Sequence, residues 1–416
     1  MSHIESLLAL YSTRSVVVVG YGAHGDCGLS TLDRLRGQHL LPLAMFFGTF
    51  AWSFVYISLP FHIHNISPWD EARTLRWTGW ILGISPLTTV MTAPLWGRLA
   101  ERGDPKRFYV IVQWLQGIAF FGTAVARTLP ELFFCRLVLG VTGAASTFAF
   151  IGAGRLRDPK EVRREIAAMQ SAMTVGQVIG PLVGAIAAVR LGFRESFVVG
   201  GLVLIACGLL VAWGVPSKEA GQVKPGVTRP PARWTSVLAV SMLVLGGSTQ
   251  VFFLTSILPQ VLPPLGVPTD RTLEVGGMLI FASGVAAALG SLAVPRLSDW
   301  LPERTLITVL LVVSSVALGA FALAGSVWSY GTLRFVQVLC IAPLFPIVVA
   351  RIAQSAGGAA IGVINSARIG AAFVGPVVAT TLLAVAPPLV LYLVLAAAGL
   401  ACIPLARVRD IRAAAA

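Results

Sequence analysis

Ser171-Ala172-Met173-Thr174-Val175-Gly176-Gln177-Val178-Ile179-Gly180-Pro181 and, 195 residues later, Ser366-Ala367-Arg368-Ile369-Gly370-Ala371-Ala372-Phe373-Val374-Gly375-Pro376 are two versions of one pattern. In each, a Ser-Ala pair leads nine positions on to Gly-Pro, inside an apolar run long enough to cross a membrane as a helix. Such a pair signals an internal duplication. Two further matches support it at an offset of 198: Arg136 opposite Arg334, and Arg98-Leu99 opposite Arg296-Leu297. A loop three residues shorter before the second Ser-Ala run reconciles the two offsets.

The composition agrees. Of 416 residues, 56% are apolar and 12% charged, about half the roughly 25% charge of a soluble domain. A mean hydropathy of +0.82 over this length exceeds what a single aqueous core can bury, so the remaining solvent is lipid. Runs of about 20 apolar residues bounded by charge, Pro or Gly fall at Leu40 to Pro60, Trp77 to Trp96, Phe108 to Ala126, Leu132 to Ala153, Met169 to Val189 and Phe197 to Val215. Six more fall at Trp234 to Leu258, Leu273 to Val294, Thr305 to Ala324, Gly331 to Ala350, Ala359 to Ala384 and Leu389 to Ala406. We number these spans 1 to 12; their lengths exclude β-barrel strands. The expected fold is therefore an all-α multi-pass membrane protein of two pseudo-symmetric six-helix bundles. Residues 39–215 and 234–406 form the bundles, 1–38 and 407–416 the tails, and 216–233 the central loop. Parallel repeats of this kind are a transporter architecture, with the substrate site near mid-membrane between the halves.

A net charge of +13 and a pI near 10.3 would point to nucleic acid in a soluble chain. Here topology accounts for the charge: with both termini cytoplasmic, 22 of the 31 Lys and Arg lie in cytoplasmic segments and six in outer loops. The other three, Arg136, Arg334 and Arg368, lie inside spans. The expected location is the inner or plasma membrane, with no nucleic-acid partner. The five cysteines show no disulfide or metal spacing, and no cleaved signal peptide is expected before span 1. Gly20-Tyr21-Gly22-Ala23-His24-Gly25 matches a dinucleotide fingerprint. It has no room for the helix and second strand that such a fold needs, so no cofactor is expected. His62 and His64 are read as part of a solvated loop.

The loop after span 2 reads Gly97-Arg98-Leu99-Ala100-Glu101-Arg102-Gly103-Asp104-Pro105-Lys106-Arg107. It resembles the loop signature of the major facilitator superfamily, with Gly97, Glu101, Arg102, Lys106 and Arg107 as a turn and a set of charges that pair in one conformation and part in another. Asp104-Pro105 departs from that signature. In span 4, Arg136 followed by Gly140 and Gly143-Ala144 resembles a second motif of the superfamily. In span 5, Gly176, Gly180, Pro181 and Gly184 resemble the motif of its antiporters, the 12-helix drug and metabolite efflux group. Small residues four apart let helices approach closely, and Pro bends them.

The resemblance implies that spans 1, 4, 7 and 10 line a central cavity and that the chain is a transporter rather than an enzyme, acting as a monomer. Candidate cavity residues are then Trp52, Tyr56, Arg136, Gln250, Phe253, Arg334 and Gln337, with Asn365 and Arg368 in span 11. Rings and amides suit an organic molecule with polar groups. One departure from the family matters: every Asp and Glu lies outside the spans or at their edges, and only Glu131 and Glu274 come close enough to carry a proton. Three buried arginines without a carboxylate make an electropositive cavity. The expected cargo is anionic or zwitterionic, such as a siderophore or other metabolite, exported against protons. Import of a nutrient or ferric chelate is the alternative.

Overall fold

The computed structural model describes residues 27–154, 159–215, 234–353 and 358–407. Among these, eleven helical stretches are long and apolar enough to cross a membrane. The twelfth expected span is also a helix, Glu71–Arg102, but Thr74, Thr78, Ser85, Thr88, Thr89 and Thr92 dilute its apolar character. Those hydroxyls are used. Ser85 donates to the Arg136 carbonyl at 2.5 Å and Thr89 to the Gly140 carbonyl at 2.9 Å, which ties span 2 to span 4 where no water can satisfy polar groups. The first helix begins at Cys27, ahead of the expected Leu40.

Four spans are broken. Span 1 is Cys27–Tyr56 followed by Leu59–Ile66, and span 4 is Leu129–Val141 followed by Ala145–Gly154. Span 7 runs from Trp234–Phe252 through a tight turn at Leu254–Ile257 to Leu258–Val261, and span 10 is Val327–Ile341 followed by Leu344–Ala353. Pro60, Pro259 and Pro343 stand at three of these breaks, each removing a backbone donor. Gly140 stands just before the fourth and Gly143 within it. Spans 2, 3, 5, 6, 8 and 11 are continuous helices. The second segment of span 1 corrects the reading of His62. Its ring is buried in a helix, packed on Phe193 and Phe197 at 5.6 and 5.2 Å, whereas His64 is exposed as expected.

Span 5 lies directly on span 1. A Cβ at Gly176, Gly180 or Gly184 would collide with the backbone of span 1 at Phe46, Phe50 or Phe54, so this glycine row is what allows the close approach. The two halves then meet along two matching seams. Gly277 of span 8 packs on the Pro181 carbonyl of span 5, and Gly79 of span 2 packs on the Pro376 carbonyl of span 11. At the end of the bundle remote from the Gly103-Asp104 turn, an apolar cluster crosses between halves: Ile57, Phe61, Ala185 and Ala188 with Phe253, Leu254 and Ile257. We call this the far end, and the end carrying Arg98, Lys106 and Arg107 the basic end. Near the basic end the described apolar clusters stay within one half, around Tyr109, Phe148 and Met169 in the first and Val237, Leu306 and Ile347 in the second.

Candidate functional site

The first segment of span 4 starts on Thr128, whose side chain accepts from the Glu131 N–H, and buries Leu132, Arg136, Leu139 and Gly140. Spaced by three, four and seven, these share one face, so the helical period turns Arg136 into the bundle. Its side chain is 1% exposed, and none of its three nitrogens has a hydrogen-bond partner. Its guanidinium carbon lies 5.5 Å from the Trp52 ring centre and 5.9 Å from that of Tyr56. The Tyr56 hydroxyl is likewise buried and unpartnered. Stranding a charge this way costs several kcal/mol, of which ring contacts return about 0.5 to 2 kcal/mol. What the guanidinium lacks is an acceptor for its five N–H groups.

Trp52 connects this arginine to a cavity. Its indole N–H donates to Gln116 Oε1 at 2.8 Å, and the Gln116 amide donates to the Thr142 carbonyl in the break of span 4 at 2.6 Å. Below lies a space of about 100 Å³ lined by Thr49, Trp52, Tyr109, Gln113, Gln116 and Ser146, among others. Gln113 donates to the Tyr109 hydroxyl at 3.1 Å. Tyr109, Gln113 and Gln116 come from span 3, which is not one of the four spans expected to line the cavity. A signal existed: a tyrosine and two glutamines at i, i+4 and i+7 put hydrogen-bonding groups on one face of an apolar run.

The second half answers differently. Arg334 donates to Ser283 Oγ at 3.2 Å, to Gln337 Oε1 at 2.6 Å, and to the backbone carbonyls of Gln250 at 2.9 Å and Val251 at 2.6 Å. Those carbonyls lie at the end of the first segment of span 7. Gln250 in turn holds Ser314 at 2.7 Å and the Leu395 carbonyl at 3.0 Å, and Phe253 stacks under Arg334 at 5.4 Å. Gln250, Phe253, Arg334 and Gln337 are 0 to 2% exposed. They form a packed polar knot whose bonding capacity is used internally. Arg368 is half-buried, bonded to Asn365 at 3.4 Å and lying over Phe345 at 4.7 Å, so this pair forms a third group. The expected single lining is thus divided among three places.

The loop motif departs from its expected geometry. Gly97 lies within the helix Glu71–Arg102 with open space where a Cβ would stand, and the chain turns at Gly103-Asp104 instead. Asp104 accepts from the Lys106 N–H at 3.0 Å and pairs with the exposed Arg107 at 3.8 Å. The side chains of Glu101 and Arg102 lie outside the described residues, as does the 20–25 glycine run. Glu131 is exposed and accepts from the Arg127 N–H at 2.7 Å, closing the start of span 4. Glu274 is half-buried in the first turn of span 8.

Residues 41–376 match the model of the Major Facilitator Superfamily. An uncharacterized MFS-type transporter, YuxJ, of Bacillus subtilis (strain 168) is 27% identical over 80% of this chain and 87% of its own. Multidrug resistance protein MdtG of Citrobacter koseri is 24% identical over 72% of this chain and 75% of its own. Among solved structures, a bacterial homologue of the human lysosomal transporter Spinster, inward-facing and unoccupied, has the same fold. It covers 92% of this chain and 95% of its own, with a TM-score of 0.66 at 15% identity.

Proposed function

The chain belongs to the major facilitator superfamily, and from that premise we propose that it exports a small organic molecule carrying a carboxylate, hydroxamate or similar anionic group, in exchange for protons. The observation that carries this reading is Arg136, buried and unpartnered between Trp52 and Tyr56. An incoming anion would give its guanidinium the two-pronged partner it lacks, while Trp52 and the Gln113 and Gln116 amides would receive the ring or polar body of the cargo. The MdtG relatives, named for multidrug resistance, favour export, as does the glycine row that joins spans 1 and 5. With the basic end cytoplasmic, the far-end apolar cluster closes the outer side while the cargo loads from within.

Glu274 is the better of the two candidate proton carriers, since Glu131 is already committed to a helix start. Inside-out vesicles energised with a proton gradient test the reading. We expect uptake of an anionic aromatic dye such as fluorescein to exceed that of ethidium, and to fall at least about 100-fold in Arg136→Gln, the loss expected when one partner of a buried charge pair is removed. Ethidium uptake undiminished by that change would overturn it. Glu274→Gln should abolish the response to the gradient yet leave dye-for-dye exchange intact.

A further inference from the structure

Away from Arg136, the far end of span 2 carries Arg73, Arg76, Trp77 and Trp80, which with Phe133 of span 4 line a groove of about 420 Å³. Offsets of three, four and seven put the four on one face of the helix. The Arg73 guanidinium lies 3.8 Å over the exposed ring of Trp69. Trp77 meets Phe133 edge-on at 6.3 Å, and Trp80 reaches Phe373 of span 11 at 5.7 Å. The groove therefore borders the seam between the halves. Both arginines are exposed, and among the described residues neither has a carboxylate within 4.0 Å. The acidic groups nearby in sequence, Asp70 and Glu71, are themselves exposed, and Glu131, two residues before Phe133, is bonded to the Arg127 N–H.

The groove has a direction. Its two cations stand within two turns of the helix start at Glu71, and Trp80 lies about 10 Å further along the axis than Arg73. Cations at the membrane surface with rings deeper follow the polarity of a phospholipid, phosphate above and acyl chain below. A small soluble anion would use only the upper part. Phe134, 64% exposed beside Phe133, shows that this flank of span 4 faces outward rather than into the bundle.

We infer that this groove binds one anionic phospholipid, its phosphodiester held by Arg73 and Arg76 and its glycerol and acyl region lying along Trp77, Trp80 and Phe133. Native mass spectrometry of the full purified chain, titrated with phosphatidylglycerol or phosphatidylcholine of matched acyl chains, tests it. One phosphatidylglycerol should bind about 25-fold tighter than phosphatidylcholine, and the double variant Arg73→Gln/Arg76→Gln should lose that advantage, since each of the two basic groups near an anionic headgroup is worth about a factor of five. Arg98→Gln/Arg107→Gln, at the basic end, should keep it, and excess inorganic phosphate should not displace the lipid. Equal binding of the two lipids, or undiminished phosphatidylglycerol binding in the Arg73/Arg76 variant, would overturn the inference. Displacement by phosphate would also overturn it, by making the groove a site for a free anion.

Discussion

Arg136 in the first half and Arg334 in the second stand 198 positions apart, and their surroundings correspond at the same spacing: Ser85 to Ser283, Trp52 to Gln250, Gln116 to Ser314, and Leu139 to Gln337. Even the bonds correspond, Trp52 to Gln116 at 2.8 Å matching Ser314 to Gln250 at 2.7 Å. The halves then separate at the arginine itself: Arg334 reaches the backbone carbonyls of Gln250 and Val251, whereas no nitrogen of Arg136 reaches an acceptor, and two side chains add to the difference. Gln337 accepts from Arg334, whereas Leu139, in the equivalent place, offers nothing. Ser283 accepts from its arginine's side chain, whereas Ser85 turns to the Arg136 carbonyl. The same frame thus spends one arginine on its own cohesion and leaves the other short of a partner. A buried ion lacking partners is a cost unless a ligand relieves it, which is why the proposed anionic group of the cargo is assigned to the first half.

The difference can be attacked from either side. Making the second half resemble the first, Gln337→Leu strips Arg334 of its closest side-chain acceptor and leaves Gln250 and Ser314 each short of a bond. We expect a loss of about 2 kcal/mol, read as a lower melting temperature in detergent, with transport per folded molecule largely preserved. Making the first half resemble the second, Leu139→Gln gives Arg136 an acceptor three residues on. Cargo would then compete with a built-in partner, and uptake should weaken about tenfold, the worth of one charge-assisted hydrogen bond. Glu131→Gln, outside the comparison, should lower the melting temperature only slightly through its role at the helix start. It should leave proton coupling intact, as a gradient-driven uptake assay would record.

Much of the fold was legible because it is written locally. Apolar length marks a span, and the recurrence of Ser-Ala and Gly-Pro marks a duplication, without any knowledge of what touches what. The breaks were half-legible: Pro60, Pro259 and Pro343 are plain in the sequence, but a membrane helix can run through proline, as the helices containing Pro181 and Pro376 do. Whether a proline breaks its helix depends on neighbours that take up the freed groups. The site was less legible for the same reason. Arg136 and Arg334 look alike in sequence, and what distinguishes them includes carbonyls 84 and 83 residues from Arg334. Gln113 and Gln116 lie on span 3, outside the four spans that the resemblance puts around the cavity, and only their spacing from Tyr109 marks a polar face there. Gly97 was given a turn that the chain makes six residues later, where Asp104-Pro105 supplies both a side-chain acceptor and a residue suited to a helix start.

The division of labour between the two arginines, Arg334 structural and Arg136 ligand-binding, is tested most directly by measuring Arg136→Gln and Arg334→Gln side by side for melting temperature and for transport per folded molecule. The account predicts a crossed result. Arg136→Gln should melt at or above the wild-type temperature and transport at about one hundredth of the rate, while Arg334→Gln should lose about 3 kcal/mol of stability and transport within a fewfold of wild type. If Arg136→Gln is the less stable protein and still transports, the assignment is reversed and the account fails.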